Sequence, residues 1–193
     1  TTRMTATDRR LVDRTELARR APVVAPALLN TLLVADVEGA RVVGRIVETE
    51  AYDEDDPASH TFRGPTPRNA PMFGEAGHVY VYLSYGIHHC ANVVCGPEGR
   101  GEAVLLRAVE VIEGIDTVRR RRNGRPDREL TDGPGKLCQA LAIDLTHDST
   151  DLLDPASPVR LERDDVDPPG APLVGPRIGI SAGVDTPWRF RVP

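Results

Sequence analysis

Residues 53–78 hold Pro57, Gly64, Pro65, Pro67, Pro71, Gly74 and Gly77. So many backbone breakers in one stretch predict a long ordered loop with little regular structure, and long loops inside compact domains usually carry function or are disordered. The segments on either side have the opposite character. Arg41 to Tyr52, Val79 to Ser84 and Ile87 to Val94 are rich in β-branched and aromatic residues and read as strands. Any fold must therefore let a strand leave its sheet, make a long excursion and return.

The rest of the chain supports a sheet with short helices around it. Between Leu11 and Leu33 apolar residues are dense, and Pro22 and Pro26 break them into short helices with proline near their starts. Thr31 to Ala35 and the strand from Arg41 flank Glu38-Gly39, a hairpin turn signal. Tyr85-Gly86 is expected to form a second, tighter hairpin whose tip presents a tyrosine. Ala103 to Ile112 gives another strand, and a helix is expected after Glu113. Pro134 to Ile143 suits a helix with Leu137 and Leu141 on one face. Val159 to Glu162 is a short strand among acidic, proline-rich loops, and Val174 to Ile180 and Trp188 to Val192 are the last strands. The expected fold class is α+β: a single domain over residues 9–193, a curved and mostly antiparallel sheet with surrounding helices and a protruding β-hairpin. Residues 1–8 are polar and read as a flexible N-terminus.

Composition narrows function. No run of about 18 apolar residues is present, so no helical membrane span is expected, and the N-terminus has no export signal, which points to the cytoplasm. The three cysteines, Cys90, Cys95 and Cys138, are an odd, sparse set that fits buried thiols in a reducing compartment. The net charge of −5 argues against nucleic acid as a partner, yet residues 117–128 carry six arginines against one aspartate. That run is either a local basic patch or an ordinary solvated helix and loop.

Six of the eight aromatic residues, including all four tyrosines, fall between Tyr52 and Tyr85. A local crowd of flat side chains beside charged groups suggests stacking at one surface. Alternation along an extended chain places Glu48, Glu50 and Tyr52 on one face. A carboxylate in an aromatic-lined pocket is a candidate general base. Arg107, inside an apolar strand, is a candidate partner for it, since a buried arginine needs one. His60 lies in the long loop, and His88 and His89 face opposite sides of a strand. These histidines with Glu48 and Glu50 raise the idea of a metal site, but no diagnostic ligand spacing exists, and neither metal nor organic cofactor is expected. Gly133-Pro-Gly-Lys136 opens a helix without phosphate-loop spacing.

Taken in order, Arg-Ile-Val-Glu-Thr-Glu-Ala-Tyr (45–52), Ser-His-x-x-Arg-Gly-x-Thr-Pro-Arg-Asn (59–69), Val-Tyr-Val-Tyr-x-x-Tyr-Gly (79–86), Cys-x-Asn (90–92), Val-Leu-Leu-Arg-Ala (104–108), Gly-Pro-Gly-Lys-Leu-Cys-Gln-Ala-Leu (133–141) and Arg-Ile-Gly-Ile (177–180) closely resemble the 3-methyladenine (alkyladenine) DNA glycosylases. The resemblance covers residues 20–192 and implies a monofunctional enzyme, acting as a monomer on double-stranded DNA. It would flip out alkylated or deaminated purines (3-methyladenine, 7-methylguanine, hypoxanthine, ethenoadenine) and hydrolyse the N-glycosidic bond. It implies Glu50 as general base, with Arg107 and a main-chain carbonyl near Ile178 holding the attacking water. Tyr52, His60 and Tyr82 would enclose the base, and Asn92 would crowd the 2-amino group of normal guanine. Tyr85 would fill the gap in the DNA stack, and Arg68 and Lys136 would meet backbone phosphates. The sole lysine, Lys136, leaves few amines for the Schiff base of a strand-cleaving glycosylase. The residues alone also admit a nucleoside or glycoside hydrolase using Glu48 and Glu50 as paired carboxylates, and a module that recognises damage without cleaving. Ala91, beside Asn92, leaves the size of the pocket open.

Overall fold

The computed structural model describes residues 8–193, so the expected flexible N-terminus falls almost wholly outside the described residues. The strands are β1 (Arg10–Leu11), β2 (Leu32–Val37), β3 (Ala40–Tyr52), β4 (Val79–Ser84), β5 (His88–Val94), β6 (Ala103–Glu113), β7 (Val159–Arg163), β8 (Leu173–Gly175) and β9 (Arg189–Arg191). The α-helices are α1 (Arg14–Leu17), α2 (Ala21–Ala27), α3 (Ile115–Arg121) and α4 (Pro134–Leu141).

All the strands join one curled sheet in the order β1-β7-β2-β3-β6-β5-β4, with β9 bridging β3 and β8, and every pairing is antiparallel. The α+β class and the curved sheet are thus as the sequence implies. The curvature has a local cause. Along β3 and β6 the register slips at Val43/Gly44 and on both sides of Glu48, and such bulges bend a strand and increase its twist. Beyond the bend, β3 exchanges its partner β2 for β9, so the chain around Glu48–Glu50 is held on both edges.

One face of the sheet carries the main core. Helix α2 packs on β3 and β6, and α4 packs on β5 and β6. Leu28, Leu29, Ile46, Val93, Leu106, Leu137 and Leu141 lie in this single apolar cluster, each with essentially no exposed surface. Full burial of each such side chain is worth about 1.5–3 kcal/mol. Pro22 sits near the start of α2 as expected. Pro26, in contrast, lies inside its last turn, where the helix is already ending at Ala27.

The long loop is as irregular as the prolines require, with one 3-10 turn at Ala70–Phe73. Most of its acidic beginning is drawn into the fold, only Asp55 staying exposed. Asp53 and Asp56 are buried, and Arg100 reaches Asp53 at 3.0 Å, Glu54 at 3.2 Å and Asp55 at 2.6 Å. Arg20 adds a second ion pair to Asp53, and Asp56 pairs with Arg177. Of the arginine run after β6, Arg121 and Arg122 are taken up by the fold, while Arg119, Arg120, Arg125 and Arg128 stay exposed. Arg121 donates to the carbonyls of Val37 and Ala140, Arg122 to that of Leu130, and Arg119 binds Asp116 and Asp127. Arg121 and Arg122 thus tether α3 to its neighbours.

One strand expectation needs correction, and one strand was not expected. The run Val174 to Ile180 is strand only at Leu173–Gly175, because beyond it the Arg177 side chain bonds the Ala51 carbonyl and the Ile178 amide bonds the Glu50 carboxylate in place of strand partners. Strand β1 has only two residues and exists by pairing with β7, so no local pattern announces it.

Candidate active site

Strands β4 and β5 form the hairpin, joined through Tyr85 and Gly86. Both have positive φ, +51° and +65°, and the Ile87 N–H donates to the Ser84 carbonyl at 3.0 Å. This is the turn whose twist matches a two-residue hairpin. Glycine adopts such a φ freely, whereas for a tyrosine it is strained. The reward is position: Tyr85 is 89% exposed and Ile87 70% exposed at the tip.

Beneath the tip lies a pocket of about 770 Å³, walled by the hairpin, the long loop, β6 and residues 178–182. Tyr52, His60, Arg68, Tyr82, Tyr85, Asn92, Arg107 and Ile178 all line it. Of the residues singled out in the sequence, eight thus converge on one cavity. Lys136 is not among them; its ammonium binds Asp132 at 2.8 Å, one helical turn away.

The aromatic wall is a connected group. The His60 ring stands 4.5 Å from Tyr82 at an angle of 63°, and Tyr80 lies 5.6 Å from Tyr82. Tyr80 is buried and its hydroxyl is 3.2 Å from His60 Nδ1. The Arg68 guanidinium sits 5.6 Å from the Tyr82 ring centre, within range of a cation-π attraction. Desolvation among these rings, and secondarily the Arg68 charge, push the His60 pKa down, so the imidazole is held neutral. Desolvation pushes the Tyr82 phenol up.

Alternation on β5 settles the question of Ala91. Cys90 and Asn92 line the pocket, whereas Ala91 is buried in the core on the other face. Its small size therefore leaves the pocket unchanged. The Asn92 amide donates to the Tyr80 carbonyl at 3.1 Å, which fixes its orientation.

At the floor, Glu50 is completely buried and does not itself line the cavity. Three residues that do line it hold the carboxylate. The Tyr52 hydroxyl donates to Oε2 at 2.7 Å, the Ile178 amide donates to Oε1 at 2.8 Å, and Arg107 Nη1 lies 3.4 Å from Oε1. The group of Ile178 that meets Glu50 is thus its main-chain amide. Burial, followed by the adjacent Glu50 charge, pushes the Tyr52 phenol well above its ordinary range, so it remains a donor. Arg107 also reaches Glu48 at 3.3 Å, and Arg189 approaches Glu48 at 3.2 Å. Glu48 and Glu50 therefore share an arginine, and Glu48 stays outside the cavity wall. Among the described residues no three His, Cys, Asp or Glu side chains converge as a metal site would require.

One residue of the site escaped the sequence reading. Arg177 is 5% exposed, its guanidinium 4.7 Å from the Tyr52 ring centre and 5.5 Å from that of Trp188. The available signal was its place beside Ile178, without any hint of its distant partner.

The site is therefore a buried carboxylate held by three donors beneath an aromatic-walled cavity, with an exposed aromatic above it. Comparison with known proteins identifies the group. Residues 15–193 match the model of the family described as methylpurine-DNA glycosylase (MPG), and the chain belongs to that family. It is 48% identical over 187 residues to a protein of Carboxydothermus hydrogenoformans, covering 93% of this chain and 94% of the other. It is 50% identical over 175 residues to one of Nocardia farcinica (87% and 82%) and 48% identical over 185 residues to one of Burkholderia cenocepacia (95% and 88%). All three bear the name "Putative 3-methyladenine DNA glycosylase". Family and relatives alike concern the excision of alkylated bases in DNA repair. No helix among the described residues is long and apolar enough to cross a membrane.

Proposed function

We propose that this protein is a monofunctional, monomeric glycosylase that flips alkylated or deaminated purines out of double-stranded DNA and hydrolyses the N-glycosidic bond with Glu50 as general base. The observation that carries this reading is the placing of Glu50 directly behind the wall of a cavity large enough for a purine. Oε1 is engaged by the Ile178 amide and Arg107, while among the described residues Oε2 accepts from Tyr52 alone. Oε2 is thus the oxygen with a lone pair for water. Since Glu50 has no exposed surface, a small shift of the Tyr52 and Ile178 rim admits that water when a substrate seats. The carboxylate accepts a water proton as the oxygen attacks the sugar carbon, and the base departs with the bonding electrons.

Tyr52, His60 and Tyr82 supply stacking faces, and an electron-poor alkylated purine gains cation-π attraction from them. A neutral His60 suits a cationic base, because an imidazolium would repel it. Asn92, whose amide is anchored on the Tyr80 carbonyl, crowds the 2-amino group of guanine in this reading. Tyr85, unsupported and exposed, replaces the flipped nucleotide in the stack. Arg68, at the rim, is the better phosphate candidate; Lys136 must first leave Asp132. The three free, buried cysteines suit a reducing compartment, as the cytoplasm provides.

Against paired-carboxylate chemistry stands Glu48, whose carboxylate is tied to Arg107 and Arg189. The deciding test is incubation of duplex DNA carrying one hypoxanthine or ethenoadenine. An alkali-labile abasic site is expected, with no adduct trapped by borohydride. Failure on a panel of alkylated purines, alongside base release from free nucleosides, would sink the proposal.

A further inference from the structure

Glu50 owes its position to residues outside the cavity as well as within it. The amide that fixes its Oε1 belongs to Ile178, in an irregular segment with neither helix nor strand. Such a segment needs an anchor, and the structure shows one immediately before it. The Arg177 guanidinium is buried and ion-paired to Asp56 through both nitrogens, Nη2 reaching Asp56 Oδ1 at 2.9 Å. It also donates to the Ala51 carbonyl at 3.0 Å and the Gly183 carbonyl at 3.2 Å. Its plane lies against Tyr52 and Trp188. One side chain thus ties the beginning of the 177–183 segment to its end, to the residue after Glu50, and to the long loop.

Gly183 records how tightly this is built. Its φ is +62°, and a Cβ there would come within 2.9 Å of both Arg177 Nη2 and Asp56 Oδ1. A side chain at 183 would press directly on the pair.

We infer that Asp56 and Arg177 are positioning residues for the general base: their buried pair sets the Ile178 amide on Glu50. The inference rests on the role proposed for Glu50. Neither residue touches the cavity, so both act through others. Displacements of about 1 Å in a reacting constellation cost on the order of a hundredfold in rate. Loosening the pair is therefore expected to slow bond cleavage while leaving capture of the lesion to the hairpin and the aromatic wall.

The test uses the full chain and a duplex with a single ethenoadenine. Asp56→Asn and Arg177→Lys keep hydrogen bonding but lose the forked ion pair, and Gly183→Ala strains it sterically. Single-turnover excision per molecule of lesion-binding enzyme, counted by titration with the fluorescent base, is expected to fall about 10- to 100-fold, with the affinity for the lesion within about threefold of the parent. Hydrogen exchange at the Ile178 amide is expected to quicken in all three. Excision at the parental rate, a loss that merely tracks the fraction of binding-competent protein, or unchanged Ile178 exchange would each overturn the inference. The exchange measurement stands apart from activity: if the parent protein released no base, the proposed function would fall while the exchange result still decided whether the pair positions Ile178.

Discussion

The floor of the cavity and the tip of the hairpin are opposite solutions to placing a functional side chain. At the floor, Glu50 has no exposed surface and three donors around it. At the tip, Tyr85 is 89% exposed on a backbone that tyrosine rarely adopts. The carboxylate proposed to take a proton in a fixed direction is held by its own protein. The ring proposed to enter the DNA stack is left bare, and the strained turn holds it out from the body of the protein.

The largest expected effect breaks the floor. Glu50→Gln keeps the shape and two acceptor lone pairs but removes the base, and excision should fall by about 10²–10⁴-fold, the usual contribution of general base catalysis. Binding of the damaged duplex should survive. Equal activity in this variant would remove Glu50 from its role. Tyr85→Ala breaks the tip instead, and loss of one stacking ring is worth about 1–3 kcal/mol, so a roughly 5- to 150-fold loss is expected. The two should differ in what rescues them. Placing the lesion opposite an abasic gap lowers the penalty of unstacking, and should restore Tyr85→Ala far more than Glu50→Gln. Equal rescue of both would show that the two regions do not divide the work in this way.

The same contrast explains what could be read from the sequence. The tip was fully legible, because a two-residue turn between alternating strands is local chemistry. So was the shared face of Glu48 and Glu50, which survives the bulge on β3 because the same arginine reaches both. The floor was legible only in part. That Asp56 would be buried against Arg177, 121 residues away, depends on where the curled sheet brings the chain together. In sequence, the acidic run 53–56 and the arginines after β6 look like solvated charge. In the fold Asp53, Asp56, Arg121 and Arg122 are instead drawn into buried or half-buried pairs and tethers, which no periodicity distinguishes from a surface. Strands β1 and β8 are too short to have a pattern of their own and are defined by their partners.

The smallest effect lies between floor and tip, at His60. Its pKa is held below the ordinary value of about 6.5, first by desolvation among the tyrosines and then by Arg68. The ring is therefore neutral at pH 7, and becomes charged only as the pH falls through that lowered value. An imidazolium in the aromatic wall would repel a cationic 7-methylguanine and leave neutral hypoxanthine largely unaffected. For like charges a few ångströms apart in a water-rich cavity the difference is about 1 kcal/mol, roughly fivefold in selectivity. Acidification should thus turn preference from the cationic to the neutral lesion, on top of any loss common to both that protonation of the base causes. Arg68→Ala removes the second cause and leaves the first, so the turnover in preference should begin at a higher pH, though still below that of a free imidazole. His60→Gln, which cannot charge, should abolish it. Competition between the two lesions in one duplex mixture, followed from pH 8 to pH 5, reads the ratio directly, and a ratio independent of pH in the parent protein would show that His60 does not sense the charge of the base.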